Sequence, residues 1–447
     1  MLLNFTFENW MSFRQVNAFS MIASRERRHG ERVAHLPKYH VRCLPVAALY
    51  GGNASGKTNF FTALVFAQNF IVQGVRPDSI IKTKPFLLEE RAEQAPCRFH
   101  FEILVDETIY EYSFAVTSKE VTEEKLVQIN ATSEKTLFER SKNETVFDYP
   151  NIDEDSLQLD QAAKATRDNM LFLTRAVDLN LQALRPVYDW FKKTLVLVSP
   201  IATYARPDRF VDADSPLTEA MGVLLSELDT GIENLSTEKV ELDSLDESLQ
   251  SVINESTRET GSVFIPTLDG DFYLVSFAHG RPLIKMIMAG HQTLEGKEVK
   301  LKISEESDGS KRIIDLLPAF LDLSQSSGQR VYVVDEIDRS LHPLLIERLL
   351  ELYLDSCTTE TRKQLIFTTH NVFLMNQNHF RRDEIWVTER DKSGASSLFS
   401  FNEYKDIRYD KDIRKSYLQG RLGGIPRLSL KSIGSDAGEQ PAGANNG

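Results

Sequence analysis

The sequence has 447 residues and a net charge of −13, with 41% hydrophobic and 26% charged residues. These fractions are typical of a globular protein with a sizeable core, so they exclude a disordered or collagen-like chain. No apolar run reaches the length of a transmembrane helix, and the first residues lack the pattern of a signal peptide. The three scattered cysteines fit a reducing compartment, so we expect a cytoplasmic protein with no membrane association.

The first 150 residues are predicted to form strands around one helix. Leu3, Phe5 and Phe7 alternate with polar residues and predict a strand, and residues 46–50 predict a short buried one. An apolar helix follows over 60–70, and alternation over 97–150 predicts an antiparallel sheet. The basic stretch 25–32 has two interpretations, a solvated loop or, less often, a loop that contacts phosphate.

The middle of the chain changes character three times. Residues 156–190 have a helical pattern. Residues 226–259 hold ten acidic and two basic residues, and their leucine spacing predicts two short helices in a hairpin. Gly231 breaks the heptad, which excludes a long coiled-coil arm. Residues 262–303 return to strand character.

At the end of the chain, the Gly- and Ala-rich tail 431–447 is expected to be disordered.

A phosphate-binding motif lies between the predicted strand at 46–50 and the helix after it. Residues 51–58, GGNASGKT, match the pattern GxxxxGK[ST] in full. Its glycines let successive N–H groups converge on phosphate, Lys57 reaches the β- and γ-phosphates, and the Thr58 hydroxyl binds Mg²⁺. The residues predicted to contact ATP here are Gly51, Asn53, Ala54, Ser55, Gly56, Lys57, Thr58 and Asn59.

Two later strands end in polar side chains that fit the same chemistry. Residues 331–334 form an apolar run that ends in Asp335 and Glu336, which indicates a buried parallel strand with carboxylates at its edge. Asp335 is predicted to bind Mg²⁺, and Glu336 to accept a proton from the attacking water. The strand at 364–369 ends in His370, and a histidine there is usually a core or turn residue. Its position 34 residues after Glu336, with a helix between, instead suggests a strand that neighbours the carboxylate strand, from which His370 reaches the γ-phosphate or the water.

The order of these motifs resembles a known group of ATPases. The chain contains, in this order, GGNASGKTN, SDGSKR, VYVVDEID, RSLHP and IFTTHN. This series resembles ATP-binding-cassette (ABC)-type ATPases of the SMC, RecF and overcoming-lysogenization-defect class. More narrowly, FENWMSFR and SYLQGRLGGIP are similar to the stand-alone AAA-15 group found in anti-phage operons. The resemblance covers about residues 1–430 and is weak through 150–300.

The resemblance implies an α/β fold, the ABC-type P-loop head. Such a head has a mixed sheet with flanking helices and an antiparallel β-subdomain, here with a mainly helical insertion. It also implies that Ser307 and Gly309 form a signature loop that binds the γ-phosphate of the opposite subunit, and that His370 is the switch histidine. Residues 338–342 resemble the D-loop. The glutamine-loop position stays open among three candidates, Gln68, Gln73 and the turn at 84–86.

The two halves of the predicted site, Gly51 and Asp335, lie 284 residues apart, which indicates inserted material between them. We therefore expect an N-terminal ATPase lobe at 1–155 and an inserted helical and β module at 156–300. A C-terminal lobe at 301–430, with signature, carboxylate strand and switch histidine, precedes the tail at 431–447.

The resemblance implies a Mg²⁺-dependent ATPase that works as a homodimer of heads around ATP, or as a higher homo-oligomer. Its expected role is the sensor subunit of an anti-phage system that controls a separately encoded, nuclease-like effector, with a phage protein as trigger. The alternative is an SMC- or RecF-like ATPase that acts directly on DNA in repair or chromosome maintenance. The sequence leaves nucleic-acid contact open.

Overall fold

The computed structural model describes residues 1–142, 147–148, 152, 156–200, 216–228, 230–256, 263–267, 270–278, 281–325, 327–404 and 413–419. The predicted tail at 431–447 lies outside these residues. In chain order, the strands are β1 (Leu2–Glu8), β2 (Asn17–Ser20), β3 (Ala34–Leu36), β4 (Val41–Cys43), β5 (Val46–Gly51), β6 (Cys97–Val105), β7 (Thr108–Val116), β8 (Val121–Ile129), β9 (Glu134–Ser141), β10 (Phe147–Asp148), β11 (Leu195–Val198), β12 (Asn234–Val240), β13 (Val263–Pro266), β14 (Phe272–Ala278), β15 (Arg281–Gln292), β16 (Glu298–Lys302), β17 (Val331–Val334), β18 (Gln364–Thr368), β19 (Ile385–Arg390) and β20 (Ser396–Ser400).

Two of the α-helices, α1 and α8, have seventeen residues each. In the described ranges, none of the helices is long and apolar enough to cross a membrane. In chain order, the helices are α1 (Lys57–Gln73), α2 (Glu90–Gln94), α3 (Ser156–Ala165), α4 (Phe172–Asp178), α5 (Arg185–Asp189), α6 (Pro216–Glu227), α7 (Glu247–Ser256), α8 (Asp308–Ser324), α9 (Pro343–Ser356) and α10 (Ile413–Leu418).

A six-stranded sheet forms the centre of the molecule, in the order β11-β17-β18-β5-β19-β20. All neighbouring pairs are parallel except β19 with β20. The predicted phosphate-loop strand, carboxylate strand and histidine strand are β5, β17 and β18, and they lie side by side. Their carboxyl ends therefore meet at one edge, as the sequence predicted.

Both faces of this central sheet are buried, which explains the continuous apolar runs of its strands. On β5, Ala47 and Leu49 pack into one core with α1, while Val46, Ala48 and Tyr50 pack into a second core with α8 and α9. This alternation follows from the two-residue period of a strand. The sheet is thus packed between two hydrophobic cores, one on each face. These cores fix the strands from which the loops at the carboxyl edge begin.

A seven-stranded antiparallel sheet, in the order β10-β9-β8-β7-β6-β1-β2, packs over α1. Phe5 and Phe7 of β1 point into the shared core and contact Phe60 of α1, with ring centroids 5.9 Å and 6.0 Å apart. The mixed central sheet with flanking helices and this separate antiparallel sheet confirm the predicted fold class. The strand at 3–7 and the antiparallel region after 97 are also confirmed.

The segment 156–300 contains both helices and strands. Helices α3, α4 and α5 confirm the helical pattern of 156–190, and a third sheet, β12-β15-β14-β13 with β16 beside β15, confirms the strand character of 262–303. Within the same segment, β11 belongs to the central sheet, as the parallel neighbour of β17.

The predicted helical hairpin at 226–259 is wrong in its middle. Helix α6 ends at Glu227, Gly231 has a φ of 75°, and the chain then enters strand β12. Leu235, which keeps the heptad spacing, lies opposite Ala289 in the pairing of β12 with β15. Tertiary pairing with β15 overrides the helical spacing here, because a leucine pattern of this length fits either element.

The basic stretch 25–32 divides in a way that neither interpretation anticipated. Arg25, Arg27 and Arg28 are exposed, whereas Arg32 is buried and forms an ion pair with Glu384 at 2.6 Å. The last arginine therefore fixes this loop to the segment before β19.

Candidate functional site

The loop between β5 and α1 has the geometry of a phosphate cradle. A Cβ atom at Gly51 would overlap Ser55 Oγ and Thr388 Oγ1, and one at Gly56 would lie 2.9 Å from the ring of Phe13. Gly56 also has a φ of 121°, which side chains avoid. The loop can close this tightly only because both positions are glycine, and it leads directly into the N-terminus of α1, where N–H groups favour an anion.

Lys57 lies at the centre of this cradle. Its Nζ donates to the carbonyl oxygens of Gly51 and Gly52 at 2.7 Å and 3.0 Å, and lies 3.3 Å from His370 Nδ1. Burial lowers the pKa of Lys57 to about 8, although the nearby carboxylate of Asp335 acts in the opposite direction. A phosphate group would restore the charge that burial disfavours.

Asp335 lies fully buried at the end of β17. Its Oδ1 accepts from the Thr368 hydroxyl at 2.6 Å, whereas its Oδ2 has no hydrogen-bond partner among the described residues. Burial raises the pKa of Asp335, and the nearby hydroxyls of Thr368 and Thr58 oppose that rise. An orphaned buried carboxylate oxygen beside an exposed threonine hydroxyl fits a cation, so Asp335 and Thr58 could hold Mg²⁺.

This donor set suits magnesium in particular. Mg²⁺ is usually bound by one or two protein oxygens together with substrate phosphates and waters, and seldom by a cage of protein ligands. In the described part of the chain, no group of three or more His, Cys, Asp or Glu side chains is arranged to hold a metal. The pair of Asp335 and Thr58 therefore has room for the phosphate oxygens that complete such a site.

Glu336 and His370 complete the wall opposite the loop. Glu336 has a left-handed φ of 48°, and its N–H donates to Thr368 Oγ1 at 2.8 Å. The N–H of His370 donates to Asp338 Oδ2 at 3.3 Å. Burial and the charge of Lys57 lower the pKa of His370, so its imidazole is neutral at neutral pH.

These residues surround one cleft of about 1260 Å³. The cleft is large enough for a nucleoside triphosphate, since ligand pockets of this kind run from several hundred to about 1,000 Å³. The predicted residues that line it are Asn53, Ala54, Ser55, Gly56, Lys57, Thr58, Asn59, Glu336 and His370.

Two predicted nucleotide contacts use their side chains within the protein. Ser55 Oγ is 2.6 Å from Thr388 Oγ1, and Asn59 Nδ2 donates to Ser12 Oγ at 2.7 Å. Both residues still line the cleft. Ser12, which accepts the hydrogen bond from Asn59, also lines the cleft.

The signature residues are not brought to this cleft. Ser307 caps the N-terminus of α8, accepting from the N–H of Ser310 at 3.1 Å, and neither Ser307 nor Gly309 lines the cleft. A Cβ at Gly309 would lie 3.1 Å from the carbonyl oxygen of Ser340. The signature loop is thus packed against the 338–342 segment.

A buried arginine connects this loop to the carboxylates. Arg312, on the second turn of α8, lies 3.4 Å and 3.5 Å from the carbonyl oxygens of Asp335 and Glu336. Burial lowers its pKa. The N-terminus of α8 is therefore fixed against the same strand end that carries the predicted metal ligand.

The three glutamine-loop candidates differ in position. The amide of Gln68 donates to the carbonyl oxygens of Phe191 and Leu195, at 2.8 Å and 2.7 Å, and so holds the start of β11. Gln73 is exposed at the end of α1. The turn at 84–86 lines the cleft.

Sequence reasoning missed several residues that shape the site. Thr368 bridges Asp335 and Glu336, and Thr388 supports the phosphate loop. Arg390 lies on the cleft wall, at the end of β19. No local motif marks them, because their strands are placed beside the loop by non-local pairing.

The fold and this site define a P-loop nucleotide-binding domain, with the phosphate loop between β5 and α1 and a buried carboxylate directly after β17 of the same sheet. The chain belongs to the family described as "AAA domain, putative AbiEii toxin, Type IV TA system", whose model matches residues 46–376. A search of curated proteins finds no match.

Two solved structures align loosely with the chain. One is the SMC head domain from Thermotoga maritima, at 13% identity and a TM-score of 0.38, over 89% of this chain and 98% of that chain. The other is an SMC head bound to the C-terminal winged-helix domain of ScpA, at 12% identity and a TM-score of 0.39, over 89% and 97%.

Proposed function

We propose that this protein binds and hydrolyses ATP with Mg²⁺, and that two copies enclose the nucleotides between their heads. The observation that carries the proposal is the convergence of Lys57, Glu336 and His370 on one cleft, above a buried carboxylate with a free oxygen. Burying the carboxylate of Asp335 and the ammonium of Lys57 costs free energy, because both groups lose their hydration. A purely structural role does not explain why both are placed together at this cleft.

The roles follow from position. Lys57 and the N–H groups of the loop bind the phosphates, and Thr58 and Asp335 hold Mg²⁺, which would neutralise charge on the phosphoryl oxygens. Glu336 accepts a proton from the attacking water. The neutral imidazole of His370 orients the γ-phosphate or that water through a hydrogen bond.

A second copy of the chain completes the site. Ser307 and Gly309 do not line the cleft of their own chain, and Gly309 packs against the 338–342 segment. In the proposed dimer, the signature loop meets the γ-phosphate held by the partner's loop. Each copy would then provide one half of both sites, and ATP would stabilise the pair.

We further propose that the ATPase is the regulatory subunit of a cytoplasmic anti-phage system, with a phage-derived trigger and a separately encoded, nuclease-like effector. The motif resemblance supports this role, and so does the family description, which names a toxin–antitoxin system. An ATP-dependent change between open and closed heads gives such a subunit a means of holding and releasing a partner.

The biochemical proposal is tested by the protein-concentration dependence of ATP hydrolysis. A dimeric site requires that the rate per chain rises with concentration and then saturates, with ATP-bound dimers visible by analytical ultracentrifugation. A constant rate per chain from a species that stays monomeric would contradict the proposal.

The biological role is tested separately. Co-purification of the product of the adjacent gene, together with loss of phage resistance in Lys57→Ala cells, would support the regulatory role. Stimulation of the ATPase by DNA, with no effector bound, would instead favour direct action in DNA repair or chromosome maintenance.

A further inference from the structure

The segment that leads into the signature loop is held by the five-stranded sheet. Strand β16 ends at Lys302, and only residues 303–306 separate it from Ser307. Ile303 is fully buried in the core that contains α6 and α8. Because only four residues, 303–306, connect β16 to Ser307, a displacement of the sheet is expected to displace Ser307 as well.

Two polar side chains of that sheet fix the connection. Asp271, which precedes β14, is 7% exposed, and its Oδ1 accepts from the N–H of Ser304 at 2.8 Å. His291, near the end of β15, places Nε2 2.6 Å from Oε1 of Glu306, whose side chain is 7% exposed. Neither bond belongs to the sheet's own pairing. Both end on the residues directly before Ser307.

The energetics of these two hydrogen bonds favour a positioning role for Asp271 and His291. A hydrogen bond to a charged, buried group stabilises more than a neutral surface bond, and removing one partner leaves the other unsatisfied. Without His291, the buried carboxylate of Glu306 would lose its hydrogen-bond partner. It would then tend to move toward solvent, because an unpaired buried charge is costly. That displacement would carry Ser307 and Gly309 with it.

We propose that Asp271 and His291 are positioning residues, which set the signature loop in place to complete the partner copy's phosphate site. The inserted sheet would thus control the engagement of two heads without touching ATP. This inference rests on the proposed function, because it requires that the signature loop acts across the dimer.

The test uses full-length protein with Glu336→Gln, which is expected to trap ATP-bound dimers, and measures the dimer dissociation constant by analytical ultracentrifugation. His291→Phe and Asp271→Ala each raise this constant about tenfold, the effect of one charge-assisted hydrogen bond. Nucleotide binding by the monomer stays unchanged, because the phosphate loop is elsewhere. Without Glu336→Gln, the same variants need more protein to reach half-maximal ATPase activity.

Conservative variants separate positioning from folding. Asp271→Asn keeps an oxygen that accepts from Ser304, and His291→Gln keeps a donor for Glu306, so both restore the tight dimer. The matched control is Glu295→Ala, which removes an exposed ion pair with Lys297 in the β15–β16 turn and leaves dimerisation unchanged.

The outcomes distinguish failure of the proposed dimeric ATPase from failure of the positioning role of Asp271 and His291. If the Glu336→Gln parent binds ATP but never dimerises, the proposed function fails. If the parent dimerises and His291→Phe and Asp271→Ala dimerise equally well, only this inference is overturned. A loss of monomer nucleotide binding in these variants would also overturn it, since that would indicate general misfolding.

Discussion

The phosphate loop and the signature loop are both short, polar turns before a helix, yet they are built differently. The phosphate loop follows a buried strand directly, and its shape comes from its own glycines and from Lys57 bonding back to the loop. The signature loop closes on itself through Ser307, which bonds to Ser310, but it is also held from outside. It depends on Ser307 capping α8, on Arg312 beneath it and on the five-stranded sheet beside it.

The difference teaches where regulation can act. A loop that is closed mainly by its own residues and by the strand beside it should keep its shape when distant parts of the molecule move. A loop held from outside can be moved by whatever moves its support. Perturbing the first should therefore weaken nucleotide binding strongly, whereas perturbing the second should leave binding intact and weaken the association of two heads.

The largest effect is expected for Lys57→Ala. Removing the buried ammonium that we propose contacts phosphate is expected to weaken ATP binding about hundredfold. Fluorescence titration with a labelled ATP analogue measures this loss. Lys297→Ala, which removes an exposed lysine of the β15–β16 turn, is the charge-matched control and binds normally. Equal affinities for the two variants would refute the role of Lys57.

Glu336→Gln tests chemistry separately from binding. The side chain keeps its shape and loses its basicity, so hydrolysis falls about 10²- to 10⁴-fold while ATP stays bound. Single-turnover measurements with radiolabelled ATP give the rate. A variant that hydrolyses ATP as fast as the unmodified protein would show that another group accepts the proton.

Ser307→Asp tests the other side of the comparison. Aspartate caps a helix as well as serine does, so α8 should remain intact. The added carboxylate would face the γ-phosphate of the partner and repel it. We expect normal ATP binding to the monomer, little dimer and little hydrolysis. ATP binding that fails together with hydrolysis would place Ser307 at its own cleft instead.

The smallest expected effect is a pH dependence of ATP binding. Burial lowers the pKa of Lys57 to about 8, and bound phosphate would raise it again. Below that pH the ammonium is charged before and after binding, so affinity is constant. Above it, binding must take up a proton, and affinity falls by at most about tenfold per pH unit.

Calorimetric titration of magnesium-free ATP between about pH 7 and about pH 9.5 covers this transition. Lys57→Arg is the control, because guanidinium stays charged throughout and its weaker affinity should not vary. A flat profile for the unmodified protein would show that Lys57 does not titrate in this range.

The sequence predicted the phosphate loop well because all its determinants are contiguous. It also predicted that the strands ending in Asp335 and His370 are neighbours, since apolar parallel strands with polar ends leave few arrangements. Thr368 and Thr388 escaped prediction because their roles come from strand pairing across more than 30 residues. Strand β12 escaped because leucine spacing over a few residues fits a helix equally well.

Sequence separation also explains why Asp271 and His291, which support the signature loop, could not be predicted from the sequence. Asp271 and His291 stand 33 and 15 residues before their partners, Ser304 and Glu306. Neither belongs to a recognisable motif. Only the folded sheet brings them to the residues before Ser307.

The central claim, that each ATP site takes one half from each copy, is tested most directly by mixing two inactive variants. Lys57→Ala lacks the phosphate loop's lysine, and Ser307→Asp lacks a working signature loop. In a mixed dimer, both defects fall in one site and leave the other site intact. Equal mixing should therefore restore up to about a quarter of the unmodified ATPase rate. Activity that stays at the sum of the two variants alone, at every ratio and concentration, would contradict the account.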